Sequence, residues 1–152
     1  MRPVAICLAV FLTSCADDAQ HLPLVIDGAV YAVPESHVQS RADAPFRFVR
    51  IKPPDRPFEL VFDSRSLKRT DRNGWPVIFS LNDGTAPNID YAESGDIKIV
   101  CVRASAPGGG CGFKLSDQGT EWTVFFPQML LSSAGKIQEE AVLQLQTYRR
   151  GT

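Results

Sequence analysis

The sequence predicts a single small α+β domain: a mainly antiparallel sheet of about six strands with a C-terminal helix packed on it. Three observations lead there. Short apolar-rich segments bounded by Gly, Pro, Asn and Asp recur from Leu24 to Phe126, the pattern of short strands joined by turns. The spacing changes only near the end, where Ile137, Ala141, Leu145 and Tyr148 fall on one helical face. A length of 152 residues allows one domain with a real core, and hardly two.

Taken in order, Leu24–Val33 reads as a bent strand or a tight hairpin with Asp27-Gly28 as its turn. Pro34 to Val38 suits one helical turn, since Pro fits a first helical position. Phe46–Ile51 and Phe58–Phe62 are strands separated by Pro53, Pro54 and Pro57. Ser64 to Trp75 is polar loop with a turn at Asn73-Gly74, and Pro76–Leu81 is a further strand. Asn82 to Gly95 reads as a long acidic connection. Asp96–Arg103 and Cys111–Leu115 flank a loop of turn residues as a hairpin, and Glu121–Phe126 is another strand. Pro127 to Ser133 suits a helical turn. From Ile137 the helix is favoured over a strand at Val142–Tyr148, which alternates well enough to compete.

Sixteen basic and seventeen acidic side chains leave a net charge of −1, which removes the footprint of a general nucleic-acid binder. The apolar and charged fractions, 44% and 22%, speak against a disordered tail and against a polytopic membrane protein. The charge is unevenly spread. Residues 41–72 carry nine bases and five acids, among them Arg47, Arg50, Lys52, Arg56, Arg65, Lys68, Arg69 and Arg72, whereas 82–95 carries Asp83, Asp90 and Glu93 and no base.

At the N-terminus, Arg2 precedes the apolar stretch Val4 to Leu12, about 15 Å of helix and half of a bilayer core. Such a segment is a signal-peptide core rather than an anchor. It ends Leu12-Thr13-Ser14-Cys15, which resembles the lipobox of bacterial lipoproteins. The resemblance implies that 1–14 is a signal peptide, that Cys15 is lipidated and becomes the first mature residue, and that 15–23 is a tether to a periplasmic domain at 24–152. Ala16 after that cysteine implies the outer membrane; Asp17 and Asp18 leave the inner membrane open.

With Cys7 in the signal peptide and Cys15 lipidated, Cys101 and Cys111 remain. A hairpin brings them together across its ladder, and in an oxidising compartment the economical reading is a disulfide, worth roughly 3 kcal/mol for so short a loop. The alternative makes Gly109-Gly110-Cys111-Gly112 a nucleophile turn, which needs a base, and the mature chain has only His21 and His37. Nine residues between the cysteines fit no short zinc-ligand spacing.

No motif for a nucleophile elbow, phosphate loop, paired metal histidines or dinucleotide site is present, and no cofactor, metal or nucleic acid is expected. His37 is the one candidate for acid–base chemistry. The remaining reading is recognition by polar loops on a rigid scaffold, with Asp83, Asp90, Tyr91 and Glu93 as partner contacts and Tyr91 as an aromatic anchor. Gly28-Ala29-Val30-Tyr31-Ala32-Val33-Pro34 and the strand–helix pattern from Trp122 to Tyr148 are similar to type VI secretion immunity lipoproteins. That resemblance implies a protein that binds and inhibits a secreted effector. A structural or assembly lipoprotein of an envelope machine, docking through the basic 41–72 region, is the alternative.

Overall fold

The computed structural model describes residues 20–42, 46–66, 68–79, 82, 88–103 and 109–150. They form an α+β domain of nine strands and one α-helix. The strands are β1 His21–Ile26, β2 Ala29–Pro34, β3 Val38–Arg41, β4 Phe48–Ile51, β5 Glu59–Asp63, β6 Ile89–Ser94, β7 Ile97–Val102, β8 Gly110–Asp117 and β9 Thr120–Pro127. Short 3-10 helices occupy Glu35–His37 and Gln128–Ser133, and the second runs directly into α1, Ala134–Arg150.

β1 and β2 form a separate hairpin; the other strands make one antiparallel sheet in the order β3-β4-β5-β9-β8-β7-β6. The β1–β2 turn places Asp27 at φ 49° and Gly28 at φ 82°. Two successive left-handed residues make the primed turn whose twist matches the flanking strands, and Asp-Gly tolerates it best.

Period-two alternation gives the large sheet two different faces. On one face the row Ile51, Leu60, Val124 and Phe113 runs straight across four strands. The β1–β2 hairpin and α1 cover it, contributing Leu24, Ile26, Tyr31 and Val33 from the hairpin and Ile137, Ala141, Leu145 and Tyr148 from the helix, all buried. Each such large apolar side chain stabilises the fold by about 1.5–3 kcal/mol. The helical face read from the sequence is therefore the face that packs.

One buried polar cluster ties these layers together. Arg149 Nη2 lies 2.9 Å from Asp117 Oδ1, and the Tyr31 hydroxyl donates to Asp117 Oδ2 at 2.9 Å. Trp122 Nε1 donates to the Tyr31 oxygen at 3.3 Å. Helix, hairpin and the β8–β9 turn thus meet at one carboxylate.

The opposite face carries the row Glu59, Phe125, Gly112, Val100 and Tyr91. It is covered by the connection from β5 to β6. Trp75 lies on Tyr91 at 4.9 Å between ring centroids, Ile78 fills the space above Gly112, and Phe79 meets Phe125 at 5.4 Å. Residues 75–79 thus cross four strands, from the β6 edge to β9.

Several sequence expectations change. Pro76–Leu81 is not a strand over its described part, Pro76–Phe79: it lies across the back face and makes one isolated bridge, Thr70 to Pro76. Its apolar residues pack downward on a sheet instead of alternating within one. The connection at 82–95 ends in β6, because Ile89, Tyr91 and Glu93 alternate with Asp90, Ala92 and Ser94 against β7. β1 starts at His21, inside the 15–23 stretch, and Val38–Arg41 adds an edge strand. Residues 1–19, with the stretch read as a signal peptide, Cys15 and Ala16, lie outside the described residues, as does Asp83.

Candidate functional site

The described acids, Asp90 and Glu93, do not form one cluster. Asp90 stands opposite Cys101 on β7, on the helix-bearing face, and its Oδ2 lies 2.7 Å from Arg103 Nε. Tyr91 and Glu93 point to the other face. Tyr91 is half-buried: its hydroxyl donates to Asp71 Oδ2 at 3.0 Å while its ring packs on Trp75. Glu93 is exposed, opposite Lys98, whose ammonium sits 5.3 Å from the Trp75 ring centre.

Asp71 organises the whole back layer. Its Oδ1 accepts the backbone N–H groups of Asn73 and Trp75, both at 2.9 Å. Its Oδ2 accepts from Tyr91 and, at 3.1 Å, from Asn82 Nδ2. Asn82 is buried, and its own Oδ1 accepts from Ile78 N at 2.8 Å. Burial acts to raise the Asp71 carboxyl, but these donors outweigh it and hold it below the usual carboxylate range. A folded value below the unfolded one contributes stability that is present above the unfolded value, near ~4, and lost as pH falls through the folded one. Urea titrations of wild type and Asp71→Asn are therefore expected to differ at neutral pH and to converge in acid. A constant difference across that window would refute the role.

Beside β6 lies a shallow groove of about 590 Å³, bounded by Ala92 to Ser94, Ile99, Met129, Leu131 and Ser132. Met129 stands over it with 83% of its surface exposed, held on the 3-10 turn between β9 and α1. A flexible thioether on a rigid mount is well suited to a protein contact. The acids marked this edge in the sequence, but Met129 was read only as part of a helical turn. A lone Met carries no local signal of exposure.

A second groove, of about 370 Å³, opens between β4, β5 and β9 and the segment Arg65–Phe79. Phe48, Val61, Thr123 and Phe125 rise from the sheet; Arg50, Arg65 and Arg69 supply charge beside Asp63. Arg65 Nε and Nη2 bind the two Asp63 oxygens at 3.0 and 2.9 Å, which holds that carboxyl below its ordinary range. Arg50 Nε lies 3.7 Å from Glu59. The basic run seen in the sequence thus concentrates part of its charge at one aromatic cleft.

Gly112 sets the depth of this cover. A Cβ there would stand 2.5 Å from Ile78 Cγ2 and 3.2 Å from both Phe125 Cδ1 and the Val124 carbonyl oxygen. Gly112→Ala is expected to cost about 1–3 kcal/mol by overpacking and to displace Ile78, read as a lower urea midpoint; an unchanged midpoint would refute the close fit.

Cys101 and Cys111 are paired as a buried disulfide, directly opposite on β7 and β8 with Cα atoms 4.0 Å apart. This removes the nucleophile-turn alternative, since Cys111 carries no thiol. His37 Nδ1 lies 2.9 Å from the Tyr148 hydroxyl, and burial lowers its pKa. Burial raises the Tyr148 phenol, so its hydroxyl stays protonated beside the ring. The pair joins the β2–β3 corner to the end of α1. Among the described residues, no three His, Cys, Asp or Glu side chains converge as metal ligands, and no helix is long and apolar enough to cross a membrane. Comparison with family models, curated proteins and solved structures returns no match.

Proposed function

We propose that the chain is a lipid-anchored, periplasm-facing binding protein of the bacterial outer membrane, without catalytic activity, that binds a secreted effector as an immunity or inhibitor protein. The observation that carries the binding reading is the β6 edge, where exposed Met129 overhangs a groove lined by Ile99 and Leu131 and bordered by the acidic Glu93. An apolar anchor flanked by charge is the usual anatomy of a protein contact. The anchor rests on the Leu12-to-Cys15 lipobox resemblance, and the buried disulfide accords with an oxidising compartment.

The test uses the soluble Cys15→Ser chain as bait in envelope extract, followed by titration of the purified partner. Glu93→Arg with Met129→Asp is expected to weaken binding of a captured soluble enzyme by at least about tenfold, roughly 1.4 kcal/mol. The wild-type chain is expected to inhibit that enzyme. Unchanged affinity would move the contact away from β6, and recovery of membrane-machine subunits instead would replace immunity with assembly. For the anchor, wild type but not Cys15→Ser is expected to incorporate labelled palmitate; equal labelling would remove the lipid from the reading.

A further inference from the structure

We infer that the groove between β4, β5, β9 and the Arg65–Phe79 segment is a second binding site, separate from the β6 edge, for an acidic peptide segment that also bears an aromatic side chain. The two surfaces stand apart: β9 and β6 are three strand spacings from each other, about 14 Å.

Charge complementarity selects the acid. Arg50, Arg65 and Arg69 border the groove against Asp63 alone, so its lining is net positive in a chain that is net negative overall. The internal pairs do not use up the guanidinium donors. Among the described residues, Arg65 commits Nε and Nη2 to Asp63 and leaves Nη1, Arg50 meets Glu59 through Nε, and Arg69 uses Nη1 on the Arg65 carbonyl at 3.4 Å. Planar guanidinium forks are the donors best matched to carboxylates.

The aromatic component follows from the floor. Phe48 and Phe125 come from the sheet and Phe79 from the cover, with the Arg50 guanidinium 6.0 Å from the Phe48 ring centre. A site that offers rings and guanidinium planes favours a residue able to stack on both. The site is also preformed, which lowers the ordering cost of binding. Val77 N donates to the Arg69 carbonyl at 2.9 Å, Phe79 packs on Phe125, and Lys114 Nζ donates to the Ser66 hydroxyl at 3.1 Å.

The experiment measures fluorescence anisotropy of three labelled peptides with the soluble Cys15→Ser chain at low salt: alternating Glu and Phe, the same with Lys for Glu, and the same with Ala for Phe. The Glu–Phe peptide is expected to bind, and each of the others at least about tenfold more weakly. Arg50→Gln with Arg69→Gln is expected to lose at least about tenfold of that affinity at an unchanged thermal midpoint. Phe48→Ala, which leaves every arginine in place, is expected to weaken the Glu–Phe peptide selectively. Glu93→Arg with Met129→Asp is expected to bind all three as wild type does, which keeps this site distinct from the β6 reading. Equal binding of the acidic and basic peptides, no loss in the arginine variant, or displacement of the peptide by phosphatidylglycerol vesicles but not by phosphatidylcholine would each overturn the assignment, the last in favour of a lipid headgroup.

Discussion

Asp117→Ala is expected to destabilise the domain by about 3–5 kcal/mol, because it strands a largely buried guanidinium. Asp117 is nearly inaccessible and Arg149 has about a fifth of its side chain exposed. Among the described residues Arg149 Nε is itself buried without a partner, so the carboxylate is the group that makes this charge tolerable. The same substitution takes the acceptor from Tyr31. A double variant, Asp117→Ala with Arg149→Met, removes both charges together and is expected to lose less than the sum of the two single losses by at least about 1 kcal/mol. Urea midpoints for the four proteins of the cycle decide it. Strict additivity would mean that the ion pair is not what holds the helix end to the β8–β9 turn.

Trp122→Ala should cost a similar amount, about 3–5 kcal/mol, for a different reason. The indole is fully buried, edge-on to Tyr31 at 5.2 Å and to Phe62 at 6.1 Å between ring centroids. Removing it opens a cavity between the sheet and the β1–β2 hairpin and takes a donor from the Tyr31 oxygen. Trp122→Phe keeps most of the volume and should lose well under half as much. In the Ala variant the remaining indole, Trp75, lies on the opposite face of the sheet, and its fluorescence reports whether both layers melt in one transition. A midpoint within error of wild type would show that the site collapses without penalty.

How much of this was legible in the sequence depended on where each residue's partner lay. Ile137, Ala141, Leu145 and Tyr148 are periodic within one element, so the helix and its buried face were readable, although Val142–Tyr148 also alternates. Asp27-Gly28 encodes its own turn, and Cys101 and Cys111 announced their pairing through the turn residues between them. Pro76–Phe79 misled because Ile78 and Phe79 are apolar for the sake of Gly112 and Phe125, partners far along the chain that no local period reveals. Tyr91 misled in the opposite direction. Its acidic neighbourhood suggested exposure, whereas Asp71, twenty positions upstream, supplies the hydrogen bond that holds it half-buried. The arginine–phenylalanine groove was visible only as a basic run, since β5 and β9 must pair before Phe125 and Thr123 stand beside Arg50 and Arg65.

That β5–β9 pairing has a kinetic consequence. From β6 to β9 each strand pairs with the next in sequence, so the segment Ile89–Pro127 is assembled from short-range contacts. Leu60, by contrast, reaches its partner Val124 only after the whole intervening chain has been looped out. Loop-closure entropy delays such contacts, and slow folding accompanies a high share of them. During synthesis β4 and β5 emerge well before β9, so β5 has no neighbour on its inner edge until β9 arrives. The N-terminal half therefore waits, with Leu60 and Phe62 uncovered, for the C-terminal half to provide the template on which it closes, and that interval is when the nascent chain is most open to aggregation or chaperone capture.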